Sequence, residues 1–538
     1  MDCKPYPFEK LPFSQLFHDY IHQSDSLSSF FPAHPFDEAS AASHANSHEF
    51  TGDRDETADL LLNLNQAFGA GKATLDQIEK LRSGNSLAVV TGQQLTIYGG
   101  PLFTIYKTLT AIIYARRWEE KLDRPVVPVF WMADEDHDFE EVSRLGILTD
   151  RVYQELQMEN GQDHSLPAGR YQLGKEFAGV RKQLRELLPD SDFSDSLFES
   201  LDRHYQDKRT LQDAFGGWMM ELFGKYGLIL AGSDDPEIKK RTLRPLLKAT
   251  ENHQEVMELL DVQSKKLEGN GFHRQARVQS SNIFYIDEKQ RRQKLVFEDS
   301  SWYSGNGHRW STDELTRNIE STPEQFSPNV FLRPLMQDHL LPTLAYVAGP
   351  GETAYYAQMK PLYENMEQRM PMILPRFSLT LIEPAIQRVM KKLPFELSDY
   401  ARRIEDLESG YIEKIDRMDV EEVFADWKNQ VHSITREKTD EIGQVDPTLK
   451  ASVDKAGTIF ENELNKLKGK VYRAIKKDEE IQLNRIRRIR HNLFPDSKLQ
   501  ERQVAFICYM NKYGPDVWDR LFQCLENHVP DTHIIVDL

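Results

Sequence analysis

Cysteine is scarce in this chain. The 538 residues include only three, Cys3, Cys508 and Cys524. No two of them form a CxxC pair or a spacing typical of a zinc site. So few scattered cysteines exclude a disulfide-rich scaffold. We expect three reduced thiols, as in an intracellular protein.

Long apolar runs and positive charge are also in short supply. No run reaches the roughly 20 apolar residues that span a bilayer, and the first residues, MDCKPYPFEKLPF, lack the pattern of a secretory signal. Lysine and arginine number 67 against 85 aspartates and glutamates, which gives a net charge of −18. Nucleic acids and anionic membranes attract clustered basic residues. We therefore expect a cytoplasmic protein that binds neither nucleic acid nor membranes.

Familiar nucleotide-binding and nucleophile motifs are missing too. Residues 69–74, GAGKAT, do not have the spacing of a P-loop, and no strand precedes them. Residues 349–352, GPGE, hold only two glycines and do not form a dinucleotide fingerprint. No GxSxG turn marks a hydrolase serine. Other turns must therefore carry the chemistry.

The most specific feature of the sequence is residues 87–107, LAVVTGQQLTIYGGPLFTIYK. An apolar run, a turn rich in Gln and Gly, and a proline placed to open a helix predict a strand, a turn and a helix. Gln93 and Gln94 can donate and accept hydrogen bonds, while Gly99 and Gly100 let the backbone approach a ligand. The turn predicts a phosphate or carboxylate site at a helix start. The alternative is a tight turn that needs glycine only for its conformation.

An acidic segment follows a second apolar run. Residues 125–133, PVVPVFWMA, are typical of a strand buried on both faces of a parallel sheet, and residues 134–138, DEDHD, come next. Ligands bind beyond the carboxyl ends of such strands. Carboxylates and an imidazole can bind Mg²⁺, orient an ammonium group or act as a base. The alternative is a solvated acidic loop.

The alternation of apolar runs with helical patterns predicts an α/β fold with a parallel core sheet of about five strands. Further strands are expected at 226–232, 330–334, 344–348 and 372–375. Residues 1–50 look irregular, and we expect them to form a coil packed along the surface.

The changes in apolar and polar pattern along the chain predict a core that is interrupted twice and then followed by a helical arm. The predicted segments are core at 1–150, a first connecting insertion at 151–205, core at 206–265, a second, β-rich insertion at 266–325, core at 326–395, a helical coiled-coil hairpin at 396–490, and a C-terminal return to the core at 491–538.

The predicted hairpin carries apolar residues at spacings of three and four, among them Phe460, Leu464, Leu467 and Val471, with charged residues between them. This apolar seam favours a homodimer. Residues 485–491, RIRRIRH, form a basic cluster late in the hairpin. They are either a solvated helix face or a phosphate site between hairpin and core.

Several motifs together resemble the BshC family, the cysteine-adding enzymes of bacillithiol biosynthesis. They are TGQQ…YGGPLFTIYK, PVFWMADEDHD, AGPGE, LPRFS and NLFP…LQER. The resemblance runs the full length of the chain. It implies a ligase that joins L-cysteine to the amine of glucosaminyl-malate.

The same resemblance implies a Rossmann-like core similar to class I aminoacyl-tRNA synthetases, with two connecting insertions and a coiled-coil domain that forms a homodimer. It also implies binding of an adenine nucleotide, ATP or ADP. The HxGH and KMSKS signatures of those synthetases are not visible in this sequence. The turn at Gly99–Pro101 is expected in the place of the first.

From these motifs we predict catalytic roles for Asp136 and His137 in binding or deprotonating the amine. The predicted substrate-binding residues lie at the strand ends: Gln93, Gln94, Gly99, Gly100, Tyr106, Lys107, Trp131, Asp134, Gly232, Asp234, Gly349, Gly351, Glu352 and Arg376. The predicted nucleotide-binding residues lie where hairpin and core are expected to meet: Glu383, Pro384, Ala385, Arg490, Asn492, Leu493 and Phe494. No metal site is assigned.

Two other classes of protein stay open at this stage. A non-catalytic assembly protein would use the hairpin as its working part. A metal-dependent hydrolase would use the DEDHD segment, and its side chains would then converge on one ion.

Overall fold

The computed structural model describes residues 1–149, 152–159, 166–414 and 420–538. The chain forms two compact units. The first, the core unit, comprises Met1–Leu381 and Gln500–Leu538, and the second, the arm unit, comprises Ile382–Leu499. The arm unit therefore extends past the predicted hairpin at both ends.

The strands are short, and most belong to the core unit. They are β1 (Asp2–Tyr6), β2 (Leu87–Gln93), β3 (Val126–Met132), β4 (Arg144–Leu148), β5 (Tyr153–Gln157), β6 (Ile229–Gly232), β7 (Ile283–Ile286), β8 (Arg292–Lys294), β9 (Val296–Glu298), β10 (Ser301–Tyr303), β11 (Arg309–Trp310), β12 (Phe326–Pro328), β13 (Thr343–Ala348), β14 (Met372–Pro375), β15 (Ser378–Ile382) and β16 (His533–Asp537).

Helices occupy most of the remaining described residues. They are α1 (Gln15–Ile21), α2 (Glu38–Asn46), α3 (Arg54–Ala67), α4 (Lys72–Leu81), α5 (Leu102–Leu122), α6 (Phe139–Val142), α7 (Lys175–Leu187), α8 (Ser194–His204), α9 (Leu211–Phe223), α10 (Pro236–Arg241), α11 (Leu243–Glu251), α12 (His253–Gly269), α13 (Thr312–Ser321), α14 (Arg333–Leu340), α15 (Pro350–Tyr356), α16 (Lys360–Asn365), α17 (Pro384–Met390), α18 (Ile404–Lys414), α19 (Val420–Val445), α20 (Lys450–Asp478), α21 (Glu480–Leu493), α22 (Gln500–Gln503), α23 (Ile507–Tyr513) and α24 (Val517–Leu525).

A five-stranded parallel sheet organises the core unit, in the order β14-β13-β2-β3-β6. Every residue of β3, β6, β13 and β14 is buried, as the continuous apolar runs require of strands covered on both faces. Helix α5 connects β2 to its neighbour β3 and packs on both strands. The predicted Rossmann-like α/β class is confirmed, and all five strand ends meet at one edge of the sheet.

Two insertions interrupt this core. Strands β4 and β5 pair as an antiparallel hairpin, and α7 and α8 follow them. The second insertion contains two three-stranded sheets, β12-β7-β8 and β11-β10-β9, as its period-two pattern predicts. It also contains α13, which was not predicted, although a Ser311–Glu314 capping box marks its start.

Two secondary-structure predictions are wrong. Residues 1–50 form β1, α1 and α2, and they bury Phe17 and Tyr20, so they are part of the core and not a surface coil. Residues 330–334 are not a strand. Asn329 Oδ1 accepts hydrogen bonds from the backbone N–H groups of Phe331 and Leu332, and α14 begins directly afterwards with Pro334 in its first turn.

The two ends of the described chain are joined. Strand β16 pairs with β1 in antiparallel register, with Cys3 opposite Val536. Cys3 and Cys524 form a disulfide with 6.4 Å between their Cα atoms. The prediction of three reduced thiols is therefore wrong for this pair, whereas the buried Cys508 forms no disulfide. The two cysteines are 521 positions apart, and no local sequence pattern indicates their pairing.

The arm unit contains an antiparallel pair of long helices, α19 and α20. Glu421 near the start of α19 accepts a hydrogen bond from Lys468 (2.6 Å), whereas Thr439 near its end donates to Asp454 (3.1 Å). Val420, Phe424 and Leu464 are buried between the helices. The predicted coiled-coil hairpin is thus present in α19 and α20.

None of the described helices combines the length and the apolar character needed to cross a bilayer. The cytoplasmic location of the protein stays a prediction.

A buried polar network fastens the C-terminal segment to the core. His533 lies 2.9 Å from the hydroxyl groups of both Ser378 and Thr380, one at each ring nitrogen. Ser378 Oγ also donates to Glu501 (3.1 Å). Burial lowers the pKa of His533 to about 4, so its ring is neutral in the folded chain at neutral pH.

This network predicts an acid-sensitive stability. Between pH 6.5 and about 4 the unfolded chain binds a proton at His533 and the folded chain does not, so the free energy of unfolding falls as the pH falls. The contribution approaches about 1.4 kcal/mol per pH unit. Urea unfolding of His533→Asn at several pH values should show a shallower slope than the wild type. Equal slopes in the two proteins would contradict this assignment.

Candidate functional site

A cavity of about 640 Å³ lies at the carboxyl edge of the parallel sheet. Residues that follow all five strands reach its wall, joined by residues of the second insertion and of α14. A cavity at this edge is the usual ligand site of such sheets. The lining residues are Gly92, Gln93, Gln94, Phe103, Lys107, Ala133, Glu135, Asp136, His137, Glu141, Ser233, Gln275, Phe284, Arg292, Pro328, Asn329, Val330, Arg333, Tyr346, Gly349, Pro350, Gly351, Glu352, Tyr355, Arg376 and Arg502.

The structure brings nine of the predicted catalytic and substrate-binding residues to this cavity. They are Gln93, Gln94, Lys107, Asp136, His137, Gly349, Gly351, Glu352 and Arg376. Seven others do not line it: Gly99, Gly100, Tyr106, Trp131, Asp134, Gly232 and Asp234. The functional roles of all these residues stay predictions.

The turn at Gly99 and Gly100 packs against the protein itself. Both glycines have positive φ angles, +85° and +77°, and a Cβ on Gly99 would lie 2.4 Å from the ring of Phe506. The backbone N–H of Leu102, at the start of α5, donates to Val504 O (2.9 Å). A donor group expected to bind an anion is therefore occupied by the C-terminal segment, which favours the conformational role of these glycines.

Trp131 and Tyr106 are core residues. Trp131 is 1% exposed on the buried strand β3, and Tyr106 is fully buried on α5. Neither residue lines the cavity, because both side chains are buried in the protein core.

Asp134 supports the acidic loop from behind. It is fully buried and accepts hydrogen bonds from Ser233 Oγ (2.7 Å), Asp234 N (2.9 Å) and Gln212 Nε2 (2.8 Å). A Cβ on Gly232 would lie 2.3 Å from its carboxylate, so this glycine makes the room. Burial, together with the neighbouring Asp234, raises the pKa of Asp134 to about 8.

Asp234 and Glu135, which lie next to Asp134, both pair with cations. Asp234 forms a bidentate pair with Arg170, and Lys239 Nζ lies 3.1 Å from Asp234 and 2.8 Å from Glu135. These ion pairs hold the loop that follows β3 in place.

Asp136 is the carboxylate that the loop presents to the cavity. Its side chain is 39% exposed, and Oδ2 accepts a hydrogen bond from Gln94 Nε2 (2.6 Å). Its Oδ1 atom accepts from the backbone N–H of His137 (2.8 Å) and lies 3.6 Å from Arg292. A fixed, half-exposed carboxylate of this kind can bind an ammonium group or accept a proton from it.

His137 is poorly placed to act as a base. Arg292 Nη1 lies 3.0 Å from His137 Nδ1. A guanidinium can only donate, so Nδ1 accepts and the ring proton sits on Nε2. Burial and the charge of Arg292 lower the pKa of His137. Of the two predicted catalytic residues, the geometry therefore favours Asp136.

Arg292 comes from the second insertion and was not predicted. It stacks on Phe284, with 3.8 Å to the ring centroid, and donates to Ser327 Oγ and Pro328 O at 2.8 Å each. No local pattern marks this residue, because its hydrogen-bond partners Ser327 and His137 lie 35 and 155 positions away in the sequence.

Lys107 and Glu352 form an ion pair in the wall of the cavity. Lys107 Nζ lies 2.5 Å from Glu352 and donates to Gly92 O (2.8 Å) and Gln93 Oε1 (3.0 Å). Burial lowers the pKa of Lys107 although Glu352 opposes this. Glu352 also accepts from Gly349 N and Tyr346 Oη, at 2.8 Å each.

Arg376 is held by a buried carboxylate. Its guanidinium donates to both oxygens of Glu501, at 2.6 and 3.0 Å, and the two side chains are 4% and 1% exposed. Burial opposes ionisation of Glu501, but Arg376 outweighs burial and keeps the pKa of this carboxyl below its usual value. Arg376 is therefore committed to this pair.

The DEDHD side chains do not converge on one ion. Asp134 is bonded to Ser233, Glu135 to Lys239 and Asp136 to Gln94, while Asp138 caps α6 by accepting from Glu141 N (3.1 Å). Across the part of the chain that the structure describes, no three His, Cys, Asp or Glu side chains are grouped to hold a metal.

The predicted nucleotide-binding residues all lie in the arm unit. Glu383, Pro384 and Ala385 are at the start of α17, which packs on α21. Arg490 donates to Arg402 O (2.9 Å) and Ser497 Oγ (2.8 Å), while Asn492, Leu493 and Phe494 are buried. Their role stays a prediction.

The fold and the cavity define a Rossmann-like α/β protein with a cavity at its sheet edge and a coiled-coil arm. Residues 1–377 match the family described as "Bacillithiol biosynthesis BshC, N-terminal Rossmann-like domain", and residues 379–538 match its "C-terminal coiled-coil domain". This chain belongs to the BshC family.

Curated relatives span almost the whole chain. A protein of Salinibacter ruber is 36% identical over 521 residues, which cover 95% of this chain and 94% of that protein. A protein of Chlorobaculum tepidum is 32% identical over 502 residues, which cover 90% and 89%. Both carry the name "Putative cysteine ligase BshC". The resemblance stated from the motifs is confirmed.

Breaking the Arg376–Glu501 pair should destabilise the core unit. Arg376→Gln leaves a buried carboxylate without its cation, and we expect the free energy of unfolding to fall by about 3–5 kcal/mol. The double variant Arg376→Gln/Glu501→Gln should recover part of this loss, because no buried charge is then orphaned. Denaturant unfolding of both proteins measures the difference. Wild-type stability in Arg376→Gln would refute the assignment.

Proposed function

We propose that this protein is a ligase that joins the carboxyl group of L-cysteine to the amine of glucosaminyl-malate. The observation that carries the proposal is the Asp136 carboxylate, which Gln94 holds half-exposed in the cavity as a receptor for an amine. The cavity volume of about 640 Å³ suits small molecules. The cysteine-ligase name of the relatives supports this class of reaction.

The chemistry requires a neutral amine that faces an activated carboxyl carbon. Asp136 would bind the substrate ammonium group and take up its proton, which leaves the nitrogen lone pair free to attack. Gln94 and Arg292 position that carboxylate from two sides. His137, with Nδ1 facing Arg292, would orient the loop or donate through Nε2.

Activation of the cysteine carboxyl needs an energy source, and we propose an adenine nucleotide for it. When bound, such a group converts a carboxylate, which is a poor electrophile, into an acyl donor. Glu383–Ala385 and Arg490–Phe494 stay the predicted binding residues.

Loss of Asp136 should cost activity. In an assay with cysteine, glucosaminyl-malate and ATP, we expect Asp136→Asn to lower kcat by about 100-fold or more, the usual contribution of a general base. Asp138→Asn is the matched control, since it is the same substitution in the same loop at a residue outside the cavity. Wild-type rates in Asp136→Asn would remove this residue from the mechanism.

We further propose that the arm unit forms a homodimer through an exposed apolar face. Val423, Trp427 and Ile434 are exposed on α19, each three positions after a seam residue. Phe460 and Leu467 are exposed on α20, displaced from its seam in the same rotational sense. Because the two helices are antiparallel, equal displacement brings both rows to one side of the hairpin.

The dimer can be tested by charge substitution on this face. Trp427 is 45% and Phe460 64% exposed in the single chain, so a second copy would remove both from water. We expect sedimentation velocity to show a dimer for the wild type and a monomer for Trp427→Glu/Phe460→Glu. Asn429→Glu adds a charge to the opposite side of α19 and should stay dimeric. A dimer that survives the double substitution would disprove the interface.

A further inference from the structure

We infer that Arg333 is the receptor for a carboxylate group of the substrate, in the same cavity that Asp136 lines. This inference rests on the proposed function only for the identity of the substrate. Two other cations of the cavity wall, Lys107 and Arg376, were predicted to bind substrate, and the structure pairs each of them with a carboxylate.

Three cations of the cavity wall, Lys107, Arg333 and Arg376, have two carboxylate partners between them. Lys107 is paired with Glu352 and Arg376 with Glu501, whereas Arg333 forms no ion pair with any described residue. The nearest carboxyl on its own helix, Asp338, accepts from Tyr363 Oη (2.6 Å) and Gln337 Nε2 (2.9 Å). Of the three cations, Arg333 is therefore the one left without an ion pair. Arg502 also lines the cavity, but it is exposed to water.

The contacts that Arg333 does make are long and neutral. Its guanidinium lies 3.2 Å from Gln337 Oε1 and 3.4 Å from the hydroxyls of Tyr346 and Tyr355. Charge-assisted hydrogen bonds are usually 2.7–2.9 Å. The planar fork thus keeps donors available, and a cation held in a cavity wall without a counter-ion is costly unless a ligand supplies one.

The aim of Arg333 is fixed by its surroundings. Asn329 caps the turn that starts α14, which places Arg333 in the first helical position. The guanidinium also lies 5.6 Å from the ring centroid of Tyr346, and that tyrosine is anchored to Glu352 (2.8 Å). A held guanidinium binds a planar anion with little loss of freedom.

The charge balance favours a carboxylate over a phosphate. Four carboxylates, those of Glu135, Asp136, Glu141 and Glu352, also line the cavity. The guanidinium of Arg333 neutralises a singly charged carboxylate. A phosphate with nearly two charges would keep one facing these acids. Arg333 and Asp136 then give the cavity one group for a carboxylate and one for an amine, which matches a substrate that carries an acidic arm and an amine.

Binding of L-malate, measured by calorimetry, tests this receptor without requiring the ligation reaction. We expect wild-type protein to bind L-malate, and Arg333→Gln to weaken that binding about tenfold or more, as loss of a charge-assisted pair predicts. Arg333→Lys keeps the charge but not the fork, and its affinity should fall between the two. Inorganic phosphate should compete poorly.

Stability separates a receptor from a structural cation. Because Arg333 has no counter-ion, Arg333→Gln should unfold at the same temperature as the wild type or higher, unlike Arg376→Gln. If Arg333→Gln is as destabilised as Arg376→Gln, Arg333 is structural and the inference fails. It also fails if wild-type protein does not bind L-malate at millimolar concentrations, if both Arg333 variants bind it normally, or if phosphate competes equally.

Steady-state kinetics distinguish this inference from the proposed function. If the protein ligates cysteine, Arg333→Gln should raise KM for glucosaminyl-malate about tenfold while kcat changes less. Malate binding that depends on Arg333 in a protein without ligase activity would refute the proposed function and keep the receptor. Ligation with an unchanged KM in Arg333→Gln would refute the receptor alone.

Discussion

The buried pair between Arg376 and Glu501 is the interaction on which the cavity depends. Arg376 follows the edge strand β14, and Glu501 belongs to the segment that returns after the arm unit. The same carboxylate accepts hydrogen bonds from Ser378 Oγ and Leu379 N. One side chain therefore closes the sheet edge, neutralises a cation in the cavity wall and fixes the second part of the core unit. A buried charge of this kind tolerates no substitute without its partner.

Charge is distributed in layers around the cavity. Behind the acidic loop, Arg170 and Lys239 neutralise Asp234 and Glu135, so the acids are supported and not free. The cavity itself is lined by Asp136 and by Arg333. The supporting ions give rigidity, and the groups that face the cavity give selectivity for a ligand with both signs of charge.

Local patterns predicted the sheet and the arm, because buried parallel strands appear in the sequence as apolar runs and helical seams as apolar residues at a helical period. The strands that begin at Leu87, Val126 and Met372 were predicted in this way. Long-range contacts were not visible. Gly99 looked like a ligand contact because sequence cannot show that Phe506 packs on it. Arg333 lies in residues 330–334, which were predicted to be a strand. Only the structure shows that Lys107 and Arg376 have carboxylate partners and that Arg333 has none among the described residues.

The pairing of β1 with β16 affects how the protein is made. Residues 2–6 leave the ribosome before the arm unit is made, and their partners at 533–537 emerge after the entire arm unit. Glu501 likewise follows that unit. The arm can fold as an independent unit during synthesis, whereas the Rossmann-like core must wait, with an uncovered sheet edge and an unpaired Arg376. Chaperone demand during translation should therefore fall on the core, although most of its residues are synthesised first.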